Sequence, residues 1–132
     1  KRVFDILKNK VKNKKICFLG VTFKPNTDDM RDSSTLLMIP SLIKKGAKVN
    51  YFDPTGKKTE FKKLKNINFS NNINSAIKDS DLIIIHTEWN DFKSIDFKKV
   101  VKNKKFIIFD MRNLYSPDKM KNLGIKYFGV GR

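Results

Sequence analysis

The sequence lacks most of the features that mark secreted and membrane-spanning proteins. Its one cysteine, Cys17, cannot form an internal disulfide, which fits a reducing compartment where thiols stay free. The longest apolar stretches, such as residues 82–85 and 106–109, are far shorter than the roughly 20 residues that a membrane-spanning helix needs. Charged residues occupy the start of the chain, where a signal peptide would have its apolar segment. We therefore expect a cytoplasmic protein that does not cross a membrane.

The chain also lacks an initiator methionine and is too short for two full domains. Its 132 residues correspond to one small domain on a prior of roughly 150 residues per domain. Because the first residue is lysine, a fragment of a longer protein is one interpretation of the sequence.

Arginine is scarce, although the chain is strongly basic. The net charge of +16 would suit binding to nucleic acid through the release of counterions. However, the arginines are limited to Arg2, Arg31, Arg112 and Arg132, and arginine is the side chain that reads bases and phosphates with paired hydrogen bonds. The lysines are scattered along the chain. The composition therefore favours a solvated basic surface over a nucleic-acid-binding site.

Apolar segments typical of buried strands alternate with segments of helical spacing. Strands are predicted over residues 15–20, 47–54, 82–87, 106–110 and 126–130, and helices over residues 32–46, 75–79, 92–101 and 117–123. We predict a loop with a short helix and a minor strand over residues 55–74. The uninterrupted run at 82–85 is typical of a central parallel strand that is covered on both faces. Alternating strands and helices predict an α/β fold, a Rossmann-like three-layer sandwich with a mostly parallel sheet.

Ligands of such sheets bind beyond the carboxyl ends of the strands, so the loop after the first strand is a candidate site. It has one glycine, Gly20, where a dinucleotide-binding fingerprint needs three. It carries Phe23, Lys24 and Arg31 instead. A ring can pack against a base or a sugar, and the two cations can hold phosphates. The alternative, a merely polar loop with Phe23 as a plug of the core, stays open.

Three other polar or aromatic residues follow predicted strands. Arg112 is either an anion clamp or the ion-pair partner of an acid such as Asp110. His86 ends a very apolar strand, where a buried, hydrogen-bonded histidine is more common than a catalytic one. Trp89 is expected in the core or in an interface rather than stacked on a base.

The remaining reactive side chains indicate no catalytic set and no metal site. Asp28, Asp29 and Asp32 lie near a predicted helix start, where acids cap the helix or pair with lysine or arginine more often than they bind a metal. Cys17 lies inside an apolar strand, where a thiol behaves as a small hydrophobic group. The residues alone therefore lead to an anion- or nucleotide-binding domain.

Five blocks of the sequence together closely resemble one known family. They are LGVTFKPNTDDMRDS at 19–33, YFDP at 51–54, TEWNDF at 87–92, DMRN at 110–113 and GVGR at 129–132. In this order they resemble the C-terminal, UDP-binding domain of the UDP-glucose/GDP-mannose dehydrogenase family, and in particular of UDP-glucose 6-dehydrogenases. The resemblance implies that residues 1–12 end a preceding linker or helix and that residues 13–132 form the UDP-sugar-binding domain.

The resemblance also implies an activity for the intact protein. It implies an NAD-dependent enzyme that oxidises UDP-glucose to UDP-glucuronate in two hydride transfers with a catalytic cysteine. That cysteine, the main NAD-binding domain and the central dimerisation helix are expected in upstream segments, so this chain alone is expected to be inactive and the intact enzyme to be a homo-oligomer. UDP-N-acetyl-mannosamine and GDP-mannose are alternative substrates. A basic nucleic-acid-binding module is a less favoured alternative from another functional class.

The resemblance assigns roles to four residues of the chain. Phe23 and Lys24 match a pair that contacts the UDP-sugar, Arg31 matches an arginine that reaches NAD, and Arg112 matches an arginine that contacts substrate, often across a subunit boundary. Met111 stands where the family commonly has glycine. If the backbone there needs a positive φ, Met111 would be strained and Arg112 could be aimed differently.

Overall fold

Six strands form one parallel sheet in the computed structural model, which describes residues 2–131; Lys1 and Arg132, the last residue of the GVGR block, lie outside the described residues. The strands are β1 (Lys15–Leu19), β2 (Lys48–Phe52), β3 (Ile67–Phe69), β4 (Leu82–Ile85), β5 (Ile107–Asp110) and β6 (Lys126–Phe128). Their order is β3-β2-β1-β4-β5-β6, and every neighbouring pair is parallel. This is the strand order of a Rossmann-like fold, which confirms the predicted fold class.

Helices cover both faces of the sheet. They are α1 (Arg2–Ile6), α2 (Thr35–Lys44), α3 (Ile73–Ile77), α4 (Phe97–Val100) and α5 (Pro117–Asn122). Side chains of α1 and α2 share one core cluster with Ile16 and Phe18 of β1. Side chains of α3, α4 and α5 share the other core cluster with Cys17 and Leu19 of β1. Because successive side chains of a strand point to opposite faces, β1 supplies both cores of a three-layer sandwich.

The segment that precedes β1 packs on the sheet. Val3 and Ile6 of α1 are buried, and they join Leu7 and Val11 in the same core cluster as α2. None of the helices within residues 2–131 combines the length and the apolar character needed to cross a membrane.

The prediction of one continuous helix over residues 92–101 is wrong. A 3-10 turn at Asn90–Phe92 is followed by the separate, short helix α4. Asp96 starts α4, since its carboxylate accepts a hydrogen bond from the backbone N–H of Lys99 at 3.3 Å and so caps the first turn. Phe92 and Phe97 are both buried, but their spacing of five residues does not place them on one face of a continuous helix.

The polar region between β2 and α3 follows its prediction. It contains a 3-10 turn at Thr59–Phe61 and the minor strand β3. Phe61 and Phe69 both contact the ring of Tyr51, with centroid separations of 5.3 and 5.2 Å. These aromatic contacts give a lysine-rich segment enough apolar packing to stay on the edge of the sheet.

The strand order reverses between β1 and β4. The chain leaves β1 toward β2 on one side and leaves β4 toward β5 on the other. In sheets of this kind the diverging loops open a crevice at the carboxyl ends of the two strands, and ligands bind there. The loop at residues 20–34 and the segment at residues 86–90 are therefore the parts of the chain that border the expected site.

Candidate functional site

Two buried carboxylates hold the loops at the carboxyl edge of the sheet. Asp53, just after β2, accepts a hydrogen bond from the backbone N–H of Val21 at 2.9 Å. Asp110, at the end of β5, accepts from the backbone N–H of Tyr115 at 2.9 Å and from the hydroxyl of Tyr127 at 2.7 Å. Since both acids are buried and bonded to protein groups, they act as anchors for the backbone of the site.

Phe23 and Lys24 lie exposed on the loop that follows β1. The Phe23 side chain is 48% exposed, so the alternative in which it plugs the core is wrong. The Phe23 N–H donates to the carbonyl of Asp29 at 3.4 Å, and the hydroxyl of Thr22 donates to the carbonyl of Lys24 at 2.9 Å. The loop therefore folds back on itself and leaves the consecutive residues Phe23 and Lys24 exposed to solvent.

Arg31 forms a forked ion pair with Asp29. Its Nη2 lies 2.8 Å from Oδ2, and its Nε lies 3.1 Å from each carboxylate oxygen. Hydrogen bonds from Arg31 lower the pKa of Asp29 to about 2, and Asp29 raises the pKa of Arg31. This confirms that an acid of the loop pairs with arginine, whereas the residue that directly precedes α2 is Ser34 and not an aspartate. Arg31 remains 88% exposed.

Arg112 lies across the carboxyl ends of three strands. Its Nε donates to the carbonyl of His86 at 2.8 Å, and its Nη2 donates to the carbonyl of Phe23 at 3.0 Å. The guanidinium bonds to these carbonyls, whereas the Asp110 carboxylate accepts from the backbone N–H of Arg112 at 3.2 Å. The alternative of an ion pair between the two side chains is therefore wrong. The two carbonyls hold the guanidinium in place without neutralising its charge.

Met111 does not strain the backbone before Arg112. Asn113, and not Met111, has the positive φ of this turn, at 54°, and asparagine tolerates that conformation better than most residues. The Met111 N–H donates to the carbonyl of Ile85 at 3.0 Å, as in a regular continuation of the ladder. Replacement of glycine by methionine therefore leaves the path of the chain to Arg112 unstrained.

His86 is buried at the end of β4 and bonded through both ring nitrogens. Its Nε2 lies 2.8 Å from the hydroxyl of Ser34, and its Nδ1 lies 3.1 Å from the hydroxyl of Thr87. Burial and, secondarily, the charge of Arg112 lower the pKa of His86 to about 4. The ring is thus neutral at pH 7, which confirms the expectation of a buried, hydrogen-bonded histidine.

Sequence reasoning does not find the contact between Ser34 and His86. Ser34 reads as a helix cap, and it does precede α2, but its hydroxyl makes no bond to the helix backbone. The two residues are 52 positions apart, and no spacing rule connects them. Only the adjacency of β1 and β4 brings the start of α2 to the end of β4.

Cys17 and Trp89 occupy the core beneath the site. Cys17 is buried in β1, and this burial raises the pKa of its thiol, which leaves it un-ionised. Trp89 packs in the same cluster as Phe92, and this confirms a core position. Within residues 2–131, no group of three or more histidine, cysteine, aspartate or glutamate side chains is arranged to hold a metal ion.

A separate cavity of about 210 Å³ lies at the opposite edge of the sheet. It is bordered by the amino ends of β1 and β2 and by α3, and its lining includes Lys15, Lys48, Asn50 and Ser75. Asn50 is already bonded to the carbonyl of Ala76 and to the hydroxyl of Ser70. This cavity combines no aromatic ring with its cations, so the carboxyl edge is the better match for a nucleotide.

The carboxyl edge presents exposed cations that can hold an anion. Phe23, Lys24 and Arg112 provide an exposed ring and two exposed cations on adjoining loops. His86 is enclosed and both of its ring nitrogens are occupied. Paired cations suit phosphate oxygens, and an exposed ring suits the flat face of a base or a sugar.

Sequence comparison connects the chain to curated enzymes. It is 36% identical over 123 residues to UDP-glucose 6-dehydrogenase of Rhizobium meliloti, covering 92% of this chain and 28% of that protein. It is 38% identical over 134 residues to the enzyme of the same name from Rickettsia bellii, covering 98% of this chain and 31% of that protein. The chain therefore spans less than a third of the length of these relatives.

Structural comparison leads to the same group of proteins. The chain is similar to an NDP-N-acetyl-D-galactosaminuronic acid dehydrogenase of Methanosarcina mazei, with a TM-score of 0.81 and 25% identity, over 99% of this chain and 27% of that one. It is also similar to a UDP-D-ManNAc dehydrogenase of Pyrococcus horikoshii, with a TM-score of 0.75 and 25% identity, over 99% and 28% of the two chains.

A family model covers most of the chain. The model of the UDP-glucose/GDP-mannose dehydrogenase family, UDP binding domain, matches residues 17–117, a span that runs from β1 to the start of α5 and includes Phe23, Lys24, Arg31 and Arg112. Together with the curated relatives, this match confirms the resemblance inferred from the sequence. The chain belongs to the UDP-glucose/GDP-mannose dehydrogenase family, as a UDP-binding domain of that family.

Proposed function

We propose that this chain is the substrate-binding domain of an NAD-dependent UDP-glucose 6-dehydrogenase. The whole enzyme would oxidise UDP-glucose to UDP-glucuronate in two hydride transfers, with the catalytic cysteine and most of the NAD site contributed by other parts of the protein. Support comes from the curated relatives, which carry this enzyme name and are about three times as long as the chain. On this proposal the chain binds substrate and does not turn it over by itself.

Phe23, Lys24 and Arg112 are the proposed ligands of the UDP-sugar. The observation that carries this assignment is the hydrogen bond from Arg112 Nη2 to the carbonyl of Phe23. It joins the loop after β1 to the turn after β5, so that the residues carrying two cations and a ring lie on adjoining segments at the carboxyl edge of the sheet. The diphosphate of UDP-glucose carries two negative charges, which Lys24 and Arg112 would neutralise.

Arg31 is the proposed contact to NAD. The residues of this chain do not form a dinucleotide cradle of their own, because the loop after β1 has one glycine and the Ser34 hydroxyl at the start of α2 is bonded to His86. They fit an edge contact to a cofactor that is held elsewhere. Arg31 is exposed and held in a forked pair by Asp29, and its remaining N–H groups could reach an anionic or polar edge of the cofactor.

The assembly and the compartment are parts of the same proposal. The intact enzyme would be a homo-oligomer with NAD-binding and central domains. We place the enzyme in the cytoplasm, since the single cysteine of this chain is a free, buried thiol and fits a reducing compartment.

Another nucleotide sugar is the second candidate substrate. Two structurally similar proteins are named for N-acetylated sugars, and they share 25% identity with the chain. The sugar would be distinguished mainly by residues outside this domain, whereas the uridine diphosphate part would be bound here. UDP-N-acetyl-mannosamine and GDP-mannose are therefore the alternative substrates.

Calorimetric titration of the chain tests the proposal. ADP-glucose is the matched control ligand, because it has the same sugar and the same charge as UDP-glucose and differs in the base. We expect UDP-glucose to bind more tightly than ADP-glucose by about tenfold, a difference of about 1.4 kcal/mol. Equal affinity for both, with a steep loss of affinity in added salt, would indicate a non-specific polyanion surface instead.

A pair of lysine variants locates the binding energy. Lys24→Ala and Lys126→Ala remove the same charge from exposed positions, the first at the proposed site and the second at the start of β6 on the opposite edge. We expect Lys24→Ala to weaken UDP-glucose binding about tenfold, as for the loss of a hydrogen bond to a charged group, and Lys126→Ala to leave it unchanged. An equal effect of both variants would contradict the site assignment.

A further inference from the structure

His86 is connected to both backbone segments that carry the proposed UDP-sugar ligands, the loop after β1 and the turn after β5. Its carbonyl accepts the Nε–H of Arg112 at 2.8 Å, and its ring contacts the hydroxyls of Ser34 and Thr87. The Thr87 hydroxyl in turn donates to the carbonyl of Thr22 at 2.8 Å. Because Thr22 directly precedes Phe23, the hydrogen bonds that begin at the His86 ring link the start of α2, the end of β4 and the loop after β1.

The hydrogen bonds of this network define where the ring carries its proton. Because the Thr87 hydroxyl uses its hydrogen to reach the carbonyl of Thr22, it can only accept a hydrogen bond from the ring. The Nδ1 of His86 is therefore the protonated nitrogen, and Nε2 accepts a hydrogen bond from the hydroxyl of Ser34. A neutral ring with its proton on Nδ1 satisfies both hydroxyl contacts, and the Ser34 hydroxyl, which also lies 3.6 Å from the sulfur of Met38, gives its hydrogen to the stronger acceptor Nε2.

At the start of α2, the Ser34 hydroxyl bonds to His86 rather than to the backbone of the helix. Ser34 is the residue that precedes the helix, a position where a serine hydroxyl usually accepts a hydrogen bond from the backbone. Its hydroxyl makes no such bond and is directed to His86. The Ser33 hydroxyl lies 3.3 Å from the Thr35 N–H and accepts its hydrogen bond instead. The local geometry is thus organised around the imidazole.

We propose that His86 is a positioning residue of the UDP-sugar site, which aims Arg112 and fixes the Phe23 loop without touching the ligand. This inference rests on the proposed function and extends it to a residue outside the set of ligands. The neutral ring with Nδ1–H holds the Thr22 carbonyl through Thr87 and holds α2 through Ser34. In this way it maintains the separation between the two carbonyls, of Phe23 and His86, that hold the guanidinium of Arg112.

Two substitutions of His86 separate positioning from simple packing. His86→Leu fills the buried space but removes both ring hydrogen bonds, whereas His86→Asn keeps an N–H donor near the place of Nδ1. We expect UDP-glucose affinity to fall about tenfold in His86→Leu and to stay within about twofold of the wild-type value in His86→Asn. Ile83→Val, a packing change in the same strand, is the matched control and should leave the affinity unchanged.

Two nuclear magnetic resonance measurements complete the test. His86 is the single histidine of the chain, so its ring ¹⁵N signals are unambiguous, and we expect the wild-type protein to show protonated Nδ1 and unprotonated Nε2. We also expect the Nε–H of Arg112 to exchange slowly with solvent in the wild type and faster in His86→Leu. A wild-type ring protonated on Nε2, or unchanged exchange and affinity in His86→Leu, would overturn the proposal.

These measurements distinguish a failure of the positioning role of His86 from a failure of UDP-glucose as the proposed ligand. If the wild type binds no UDP-glucose while the Nδ1 proton and the Arg112 exchange behave as expected, the proposed function fails, and what stands is that His86 positions Arg112 and the Phe23 loop. If His86→Leu does not fold, Ser34→Ala replaces it, since that change affects an exposed residue and removes the hydrogen bond to Nε2. An affinity for UDP-glucose in Ser34→Ala equal to that of the wild type would then count against the proposal.

Discussion

Gly20 and Thr87 lie in such close contact that no side chain fits between them. A Cβ atom added to Gly20 would stand 2.6 Å from the Thr87 Cβ and 2.8 Å from its hydroxyl oxygen, and Gly20 also has a φ of 78°. This contact is where the loops after β1 and β4 diverge. Both the backbone conformation and the space therefore require glycine at the entrance of the candidate site.

Gly20→Ala should consequently destabilise the protein strongly. The left-handed conformation and the overlap with Thr87 together are expected to cost about 3 kcal/mol of unfolding free energy, measured by urea denaturation. Gly56→Ala is the matched control, because Gly56 has a φ of 94° but open space around the added Cβ, and it should cost about 1 kcal/mol. Equal losses in the two variants would show that the contact with Thr87 does not matter.

The stability of the protein should depend on the protonation of His86 in a defined pH range. Its pKa is lowered from 6.5 to about 4 in the folded chain, so between these pH values the unfolded chain binds a proton that the folded chain does not. The free energy of unfolding therefore rises with pH across this range, by about 3 kcal/mol from this group. His86→Asn should lack this part of the pH dependence in parallel denaturation experiments. Identical pH profiles for the two proteins would refute the assignment.

The pair of Asp29 and Arg31 should be visible in the titration of the Asp29 carboxyl group. In the wild type the group is expected to titrate with a pKa of about 2, followed by the ¹³C shift of its side chain. In Arg31→Ala the pKa should move toward the ordinary value of 3.8, because the guanidinium hydrogen bonds to the carboxylate are removed while the one from the backbone N–H of residue 31 remains. Stability should change little, since the pair is exposed to solvent.

Cys17 should be unreactive in the folded protein. Its thiol is buried in β1 and its pKa is raised, so a disulfide reagent should label it only as the chain unfolds. Cys17→Ser is expected to lower the stability by about 1–2 kcal/mol, because a hydroxyl is costlier to bury than a thiol, and to leave UDP-glucose affinity unchanged. Rapid labelling of the native protein would contradict this account.

The strands could be predicted from the sequence because their burial leaves a local signature. β4 is covered on both faces, and every one of its residues is buried, which produces the continuous apolar run at 82–85. The helix predicted over residues 92–101 had no such signature. Its apolar residues are buried by a 3-10 turn and by α4 separately, and a pattern of apolar residues does not reveal the break between them.

The sequence predicts where the candidate site lies but not which hydrogen bonds join its residues. The rule that ligands bind at strand ends leads to Phe23 and Arg112 without knowledge of the fold. The bond between Arg112 and the carbonyl of Phe23 joins residues 89 positions apart, and that between Ser34 and His86 depends on the order of the sheet. Such contacts follow from three-dimensional adjacency, which a single sequence does not encode in its spacing.

A map of UDP-glucose contacts on the chain tests the central claim most directly. In a ¹⁵N-labelled sample titrated with UDP-glucose, the account predicts the largest shift changes at Phe23, Lys24 and the Nε–H of Arg112. It predicts small changes at Lys15 and Lys48, beside the cavity at the opposite edge. Shift changes centred on that cavity, or saturation of the protein with UDP-glucose without any change at Phe23 and Arg112, would contradict it.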